Sequence, residues 1–295
     1  MNILRKTFEK GTLLDLWTEI YSGNPLQARL NSAMLDRALS RLQLPCGSVF
    51  LDAGCGSGNQ TIALLQRGYR GVAFDISTAA LVATKSRLTG PDRVMANFCD
   101  FIQGALETLP FEDRSFDLVH CRGVLMHIPD WKTALQNLCR VLKPGGYILV
   151  MENNDRSLEA KMVRCVRAIR KGHSQRTTTD GGLESWSVVN GDNFVVRVAN
   201  LKALTTCLCD FGVRLVDCFP GGFWDIGYFP IWSRSLMIQW NRIYFALHLP
   251  AQLSSGVVLL GRKETITRLE APLIVKHVGQ RHDSSTVVSH GFSLG

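Results

Sequence analysis

The chain of 295 residues predicts an α/β fold, a doubly wound and mostly parallel sheet with helices on both faces. Three observations carry this. A short apolar run, Val49-Phe50-Leu51, leads straight into Asp52 and then into glycines at every second position, Gly54, Gly56 and Gly58. From there to Met151, apolar runs of strand length alternate with segments of helical period. Ahead of the last of these strands stands the turn Lys143-Pro144-Gly145-Gly146. Alternation of this kind implies parallel strands joined by right-handed helical crossovers.

Taken in order, Leu13 to Tyr21 reads as helix and Tyr21-Ser22-Gly23-Asn24-Pro25-Leu26 as a turn. Asn31 to Leu42 reads as a second helix, because Met34, Leu35, Ala38, Leu39 and Leu42 recur at helical spacing. After the glycine turn, Thr61 to Arg67 is helical and Gly71 to Asp75 is a strand ending in an acid. Ser115 to Cys121 reads as a buried strand, Trp131 to Leu142 as a helix and Tyr147 to Met151 as a strand. From Ser157 to Lys171, Leu158, Met162, Cys165 and Ile169 recur at intervals of four, three and four, which predicts a helix with those residues buried. Its other face is basic, with Lys161, Arg164, Arg167, Arg170 and Lys171. Strands follow at Val213 to Cys218 and Gly256 to Leu260.

Glycine admits backbone angles closed to other residues and lets a ligand approach the main chain, so the Leu51 to Gly58 turn suits a small-molecule cradle. A dinucleotide turn would carry its third glycine one position further on, where Asn59 stands. Asp52 would also face a diphosphate with like charge, and suits a cationic ligand better. The spacing disfavours NAD and favours S-adenosylmethionine.

Over residues 46 to 152 the chain resembles the class I S-adenosylmethionine-dependent methyltransferases. Five ordered features carry the resemblance: the Asp52 to Gly58 turn, Asp75 at the end of the second strand, Leu109-Pro110-Phe111 followed by Ser115-Phe116-Asp117, the Val124-Leu125-Met126-His127-Ile128 segment, and the Lys143 to Gly146 turn. It implies a Rossmann-like fold with an antiparallel last strand, extra N-terminal helices and a lid insertion before that strand. It also implies S-adenosylmethionine contacts from Asp52, Ala53, Gly54, Gly56 and Gly58 at the methionine end, from Asp75 and Ile76 at the ribose, and from the carbonyl of Cys121 at the amino group. Where the family carries Gly-Asp-Ala before its Leu-Pro-Phe, this chain has Gly104-Ala105-Leu106-Glu107. Adenine would therefore rest on Ala105 and Leu106, assisted by Glu107, at the cost of about 1 kcal/mol for one lost hydrogen bond. Aromatics near the N-terminus close over the cofactor in related enzymes, which makes Tyr21 a contact and leaves Trp17 between that role and core packing.

Transfer from a sulfonium asks mainly for alignment, yet a hydroxyl acceptor gains from a base near neutral pH. His127 is the candidate base, set against a structural role at an apolar helix start; His120 reads as buried and His173 as a loop alternative. Beyond the fifth strand, Glu152-Asn153-Asn154-Asp155 offers polar groups to an acceptor, so Glu152 and Asn153 are substrate candidates. Arg122 is another, holding an acidic group or pairing with Glu152 or Asp100. With Cys121-Arg122 at the fourth strand's end, half of a metal site is missing and no metal is expected. Phe219, Phe223, Trp224, Tyr228, Phe229, Trp232, Trp240, Tyr244 and Phe245 crowd an insertion read as a substrate lid over residues 219–250, with Trp224 as its contact; a core helix and a dimer interface are the competing readings.

The net charge is +8 and 46% of residues are hydrophobic, enough for one large core, without an apolar run of membrane-spanning length. Nine cysteines without paired spacing suggest reduced thiols and a cytoplasmic enzyme. Residues 1–278 are expected to form a single domain: an N-terminal cap (1–45), a cofactor core (46–152) and a substrate-facing half (153–278), followed by a flexible tail (279–295). The basic helix admits a phosphorylated or acidic substrate, but its aromatics are not interleaved as nucleic-acid stacking platforms require, so nucleic acid is disfavoured. The expected reaction is methyl transfer to a hydroxyl of a small molecule or saccharide, by a monomer or homodimer with at most weak membrane-surface contact. Alternatives are N- or C-methylation of a lipid-like or prenyl acceptor, RNA methylation, and a non-catalytic cofactor-binding scaffold.

Overall fold

The computed structural model describes residues 24–88, 90–169, 175–189 and 192–265. All fall within one compact unit that ends at Thr265. The expected helix from Leu13 to Tyr21, with Trp17 and Tyr21, lies outside the described residues, as do His173 and the tail.

Helix α1 (Pro25–Leu39) starts at Asn24, whose side chain accepts the Leu26 amide, with Pro25 in the first turn. That pairing starts the helix six residues before the expected Asn31. Strand β1 (Val49–Ala53), helix α2 (Asn59–Leu65), strand β2 (Arg70–Asp75), helix α3 (Thr78–Arg87) and strand β3 (Cys99–Gln103) follow. The chain then returns to the other side of β1 as β4 (Phe116–Arg122), and helix α4 (Trp131–Arg140) leads to β5 (Leu142–Asn153). Phe50, Leu51 and Ala53 of β1 and Leu118, Val119 and Cys121 of β4 are fully buried, the signature of a sheet covered on both faces.

Among the described residues the main sheet has the order β3-β2-β1-β4-β5-β10-β9. Strand β10 (Gly256–Lys263) is antiparallel to β5, and β9 (Val213–Gly222) is antiparallel to β10. The order reverses between β1 and β4, both parallel neighbours, and a crevice opens beyond the carboxyl ends of strands at such a switch point.

Two departures from the sequence reading shape the site. First, a three-stranded sheet, β6 (Gln175–Thr179), β7 (Gly182–Val189) and β8 (Asp192–Ala199), occupies a stretch for which the sequence reading gave no strands. Asp180-Gly181 forms the two-residue connection between Thr179 and its partner Gly182, a hairpin signal. Second, helix α5 (Leu158–Ile169) is turned around its axis: Leu158, Met162 and Cys165, expected inside, are exposed. The buried residues there are Ser157 and Glu159. Ser157 Oγ accepts the Ala160 amide and Glu159 Oε1 accepts the Asp225 amide, so polar anchoring sets the rotation against the apolar period. Helices α6 (Leu201–Asp210) and α7 (Ile231–Ala246) complete the described elements of regular structure, α7 standing between β9 and β10.

Candidate active site

A cleft of about 590 Å³ opens at the switch point. Its wall on the β1 and β2 side is the glycine turn. Gly54 has φ +78°, and a Cβ there would lie 2.2 Å from Val124; only glycine lets the Val124 segment close against the turn. At Gly56 the same construction meets nothing within 4 Å, so the backbone lies open to the cleft. Gly56 N donates to Asp75 Oδ2 at 2.9 Å, and Ser77 N donates to Asp75 Oδ1 at 2.9 Å. Burial pushes the Asp75 carboxyl up from its ordinary value, and the amides of Ser77 and Gly56 pull it back down.

Asp52, one strand-width from His120 in the β1–β4 register, lines the cleft with both carboxylate oxygens already engaged. Its Oδ1 lies 2.8 Å from His120 Nδ1, and its Oδ2 accepts the Thr61 hydroxyl at 2.5 Å. With the carboxylate as acceptor, Nδ1 is the donor nitrogen of this pair. His120 is buried yet lines the cleft, a position the strand pattern alone could not reveal.

The adenine-side segment Gly104 to Glu107 lines the same cleft, with Ile76 beside Asp75. Gly58 caps α2 with its backbone and, like Ala53, sits behind the cleft surface. β4 runs one residue past the expected end; Arg122 and Gly123 line the cleft, and the Cys121 side chain is wholly buried in the core. Burial drives its thiol well above the ordinary range.

His127 lines the cleft but is held as a framework residue. Its Nδ1 faces the Val195 carbonyl at 3.0 Å, which fixes the proton on that nitrogen, and its ring stacks on Phe194 with centroids 4.9 Å apart. Burial, with the nearby Arg197, pulls its pKa down to about 4. The ring is neutral at pH 7 and a feeble proton acceptor. Arg197 itself is buried and donates to Glu184 Oε1 and to the carbonyls of Leu125, Ile128 and Pro129, tying β8 to the His127 segment.

Arg122 does not make the expected carboxylate pair. It pairs with neither Glu152 nor Asp100 but donates to Asn31 Oδ1 at 2.6 Å, and Asn31 Oδ1 also accepts Gln27 Nε2. Gln27 Oε1 is buried without a hydrogen bond. Gln27 and Asn31 are cleft residues that the sequence reading missed; the Asn24-Pro25 start was their signal. Glu152, 3% exposed, accepts the Leu125 amide at Oε1, with the Val124 and Met126 amides near the carboxyl. Its Oε2 is buried without a well-formed hydrogen bond. Burial pushes its pKa to about 7, against the pull of those amides and of Arg197.

The rim carries Asn153, whose Nδ2 lies 3.7 Å from Met126 Sδ, and Trp224, whose amide donates to Asn241 Oδ1 of α7. The expected lid divides. Trp224, Asp225 and Asn241 face the cleft, Phe219 is buried in the core, and Trp232 and Trp240 face outward. Among the described residues no group of three or more His, Cys, Asp or Glu is placed to hold a metal ion, and no helix is long and apolar enough to cross a membrane.

Residues 51–150 match the family model described as a methyltransferase domain. That segment is similar to a methyltransferase domain. Over 130 residues the chain is 35% identical to demethylmenaquinone methyltransferase of Clavibacter sepedonicus, covering 44% of this chain and 51% of that protein. Over 176 residues it is 28% identical to an uncharacterized methyltransferase of Schizosaccharomyces pombe, covering 56% and 63%. The chain spans about half the length of the curated relatives it matches most strongly. In fold, it is similar to magnesium protoporphyrin IX methyltransferase of Synechocystis PCC 6803, solved with bound SAH: TM-score 0.58, 17% identity, covering 89% of this chain and 99% of that one. The matched segment thus runs from β1 into β5, whereas β6 to β8, α7 and the strands after β5 lie outside it.

Proposed function

We propose that the protein transfers a methyl group from S-adenosylmethionine to a small-molecule or saccharide acceptor, with a hydroxyl oxygen as the receiving atom. One observation carries the cofactor half of this reading: the Gly56 backbone opens on the cleft beside a carboxylate, Asp75, already oriented by two amides. The residues present fit the group. Asp75 has acceptor capacity left for a ribose, Ile76, Ala105 and Leu106 offer an apolar slot to adenine, and Asp52 with its partner His120 lines the cleft toward the methionine end. A cleft of about 590 Å³ lies within the range of small-molecule sites. When bound, the cofactor supplies an electrophilic methyl on a sulfonium.

The chain's own contribution is alignment and proton handling. Glu152, not His127, is the group whose buried position suits a base near neutral pH, since its carboxyl ionises at about 7 and its Oε2 awaits a donor. An acceptor hydroxyl donating to Oε2 would lose its proton there as the methyl is transferred. Arg122, Asn153 and Trp224 are proposed to position the acceptor.

A second reading, C-methylation of a lipid-like or prenyl acceptor, is favoured by the demethylmenaquinone methyltransferases among the relatives and by Trp224 at the cleft, whose ring packs edge-on against Phe223 and Phe229. Calorimetric titration with S-adenosylmethionine, its demethylated product and NAD tests the cofactor half. Binding of the first two alone, followed by transfer to glycosides or phenols, is the expected result. Absence of adenosyl binding at millimolar concentration would leave the scaffold reading.

A further inference from the structure

Helix α7 presents its apolar side outward. Toward the protein it turns Ser233, Ile238, Asn241 and Tyr244, all buried. Toward solvent it turns Trp232, Leu236, Trp240, Ile243 and Leu247, spaced by four, four, three and four, with Ile231 beside them. Trp232 is 85% exposed, Leu236 66% and Leu247 65%. A helix on a folded protein ordinarily buries such a stripe, and a contiguous exposed one marks a surface that meets something else.

The surrounding charge says what kind of partner fits. From Ile231 to His248 there is no acidic residue, while Arg234 and Arg242 flank the stripe. Helix α5, tied through Glu159 to the Asp225 amide just ahead of α7, adds exposed Lys161 and Arg164 beside exposed Leu158 and Met162. The whole chain carries +8. A second copy docked symmetrically on α7 would set Arg234 and Arg242 against their counterparts, with no carboxylate on that helix to answer them. An anionic bilayer answers both features: tryptophan settles at the headgroup level, apolar side chains enter the acyl boundary, and cations meet lipid phosphates.

We propose that α7, with the start of α5, is a docking element for anionic membrane surfaces, lying in the headgroup plane with Trp232, Leu236, Trp240, Ile243 and Leu247 inserted. With 16 residues, α7 is too short to span a hydrocarbon core of about 30 Å at 1.5 Å per residue. The buried face of the same helix carries Asn241, bonded to the backbone of Trp224 at the cleft rim, so the docked surface adjoins the mouth of the cleft. The proposal stands independently of the methyl-transfer reading.

The test is co-sedimentation of the full chain with vesicles of phosphatidylcholine alone and of phosphatidylcholine with phosphatidylglycerol. Binding to the second vesicles is expected, with a partition coefficient falling at least ten-fold in W232S/L236S and likewise in K161E/R164E, while both variants keep the parent's thermal midpoint. Failure to bind phosphatidylglycerol vesicles, or binding unchanged in the variants, would overturn the proposal. So would a concentration-dependent dimer in sedimentation velocity that W232S/L236S abolishes, since the occupant would then be a second copy. A lowered midpoint in W232S/L236S without vesicles would also count against it, by showing that another part of the chain covers the face.

Discussion

The two sides of the cleft handle their polar groups in opposite ways. On the side built by β1, β2 and the glycine turn, Asp75 is satisfied by two backbone amides and Asp52 by His120 and Thr61. On the side built by α1, β5 and the elements after it, Gln27 Oε1 and Glu152 Oε2 are buried without hydrogen bonds. A buried acceptor left unpaired costs about 1–3 kcal/mol. The first side is preorganised and complete; the second is incomplete in a way that an incoming donor relieves. Under the proposed function, that contrast assigns the first wall to the cofactor and the second to the acceptor.

The largest effect is expected where the acceptor side is anchored. Arg197→Ala removes the buried guanidinium and strands Glu184 together with the carbonyls of Leu125, Ile128 and Pro129. A loss of about 3–5 kcal/mol in urea unfolding is expected; a loss below about 1 kcal/mol would show that β8 does not hold the His127 segment. Next, Asp75→Asn should weaken S-adenosylmethionine binding by about 1.5–3 kcal/mol, roughly ten- to hundred-fold, with a lowered thermal midpoint because the Asn amide nitrogen strands one of the two backbone donors. Unchanged affinity in calorimetry would remove the distinction between the two walls.

Glu152 sharpens the comparison through pH. A base must be ionised to act, so with its carboxyl near 7 the rate should rise about ten-fold per pH unit below 7 and level off above it. Glu152→Gln should lower the rate and flatten that limb. Stability moves the other way. Between the ordinary value of 4.5 and about 7 the folded protein holds a proton that the unfolded chain releases, so stability falls as pH rises through that window, and Glu152→Gln should lose this slope. A pH profile that the substitution leaves unaltered would remove Glu152 as the base. The smallest effect belongs to His127→Phe, which costs the bond to Val195, about 1 kcal/mol in stability, and should change turnover by only a few-fold. A loss above about a hundred-fold would restore His127 as the base.

Legibility follows the same division. The strand-turn-helix at Val49 to Leu65, the acid ending β2 and the Lys143 to Gly146 turn were readable because local backbone requirements, glycine at positive φ above all, leave a mark at fixed spacing. The acceptor side was read less well. The period at Leu158, Met162 and Cys165 pointed inward, yet two polar anchors, Ser157 and Glu159, turned that face outward. His120 was legible as a buried strand residue but not as a cleft residue, because its position depends on β4 lying beside β1. Gln27, Asn31 and Arg122 meet across 91 residues of sequence between Asn31 and Arg122, and no local pattern encodes such a meeting.

By itself, the sequence determined the α/β class, the glycine cradle and the acid facing it, because these rest on backbone geometry that a few neighbouring residues impose. Only the tertiary structure decided which carboxylate is left unpaired, which histidine is locked in the framework and which face of α7 looks outward. Those properties depend on burial and on partners brought together from distant strands, and desolvation has no signature in a single stretch of chain.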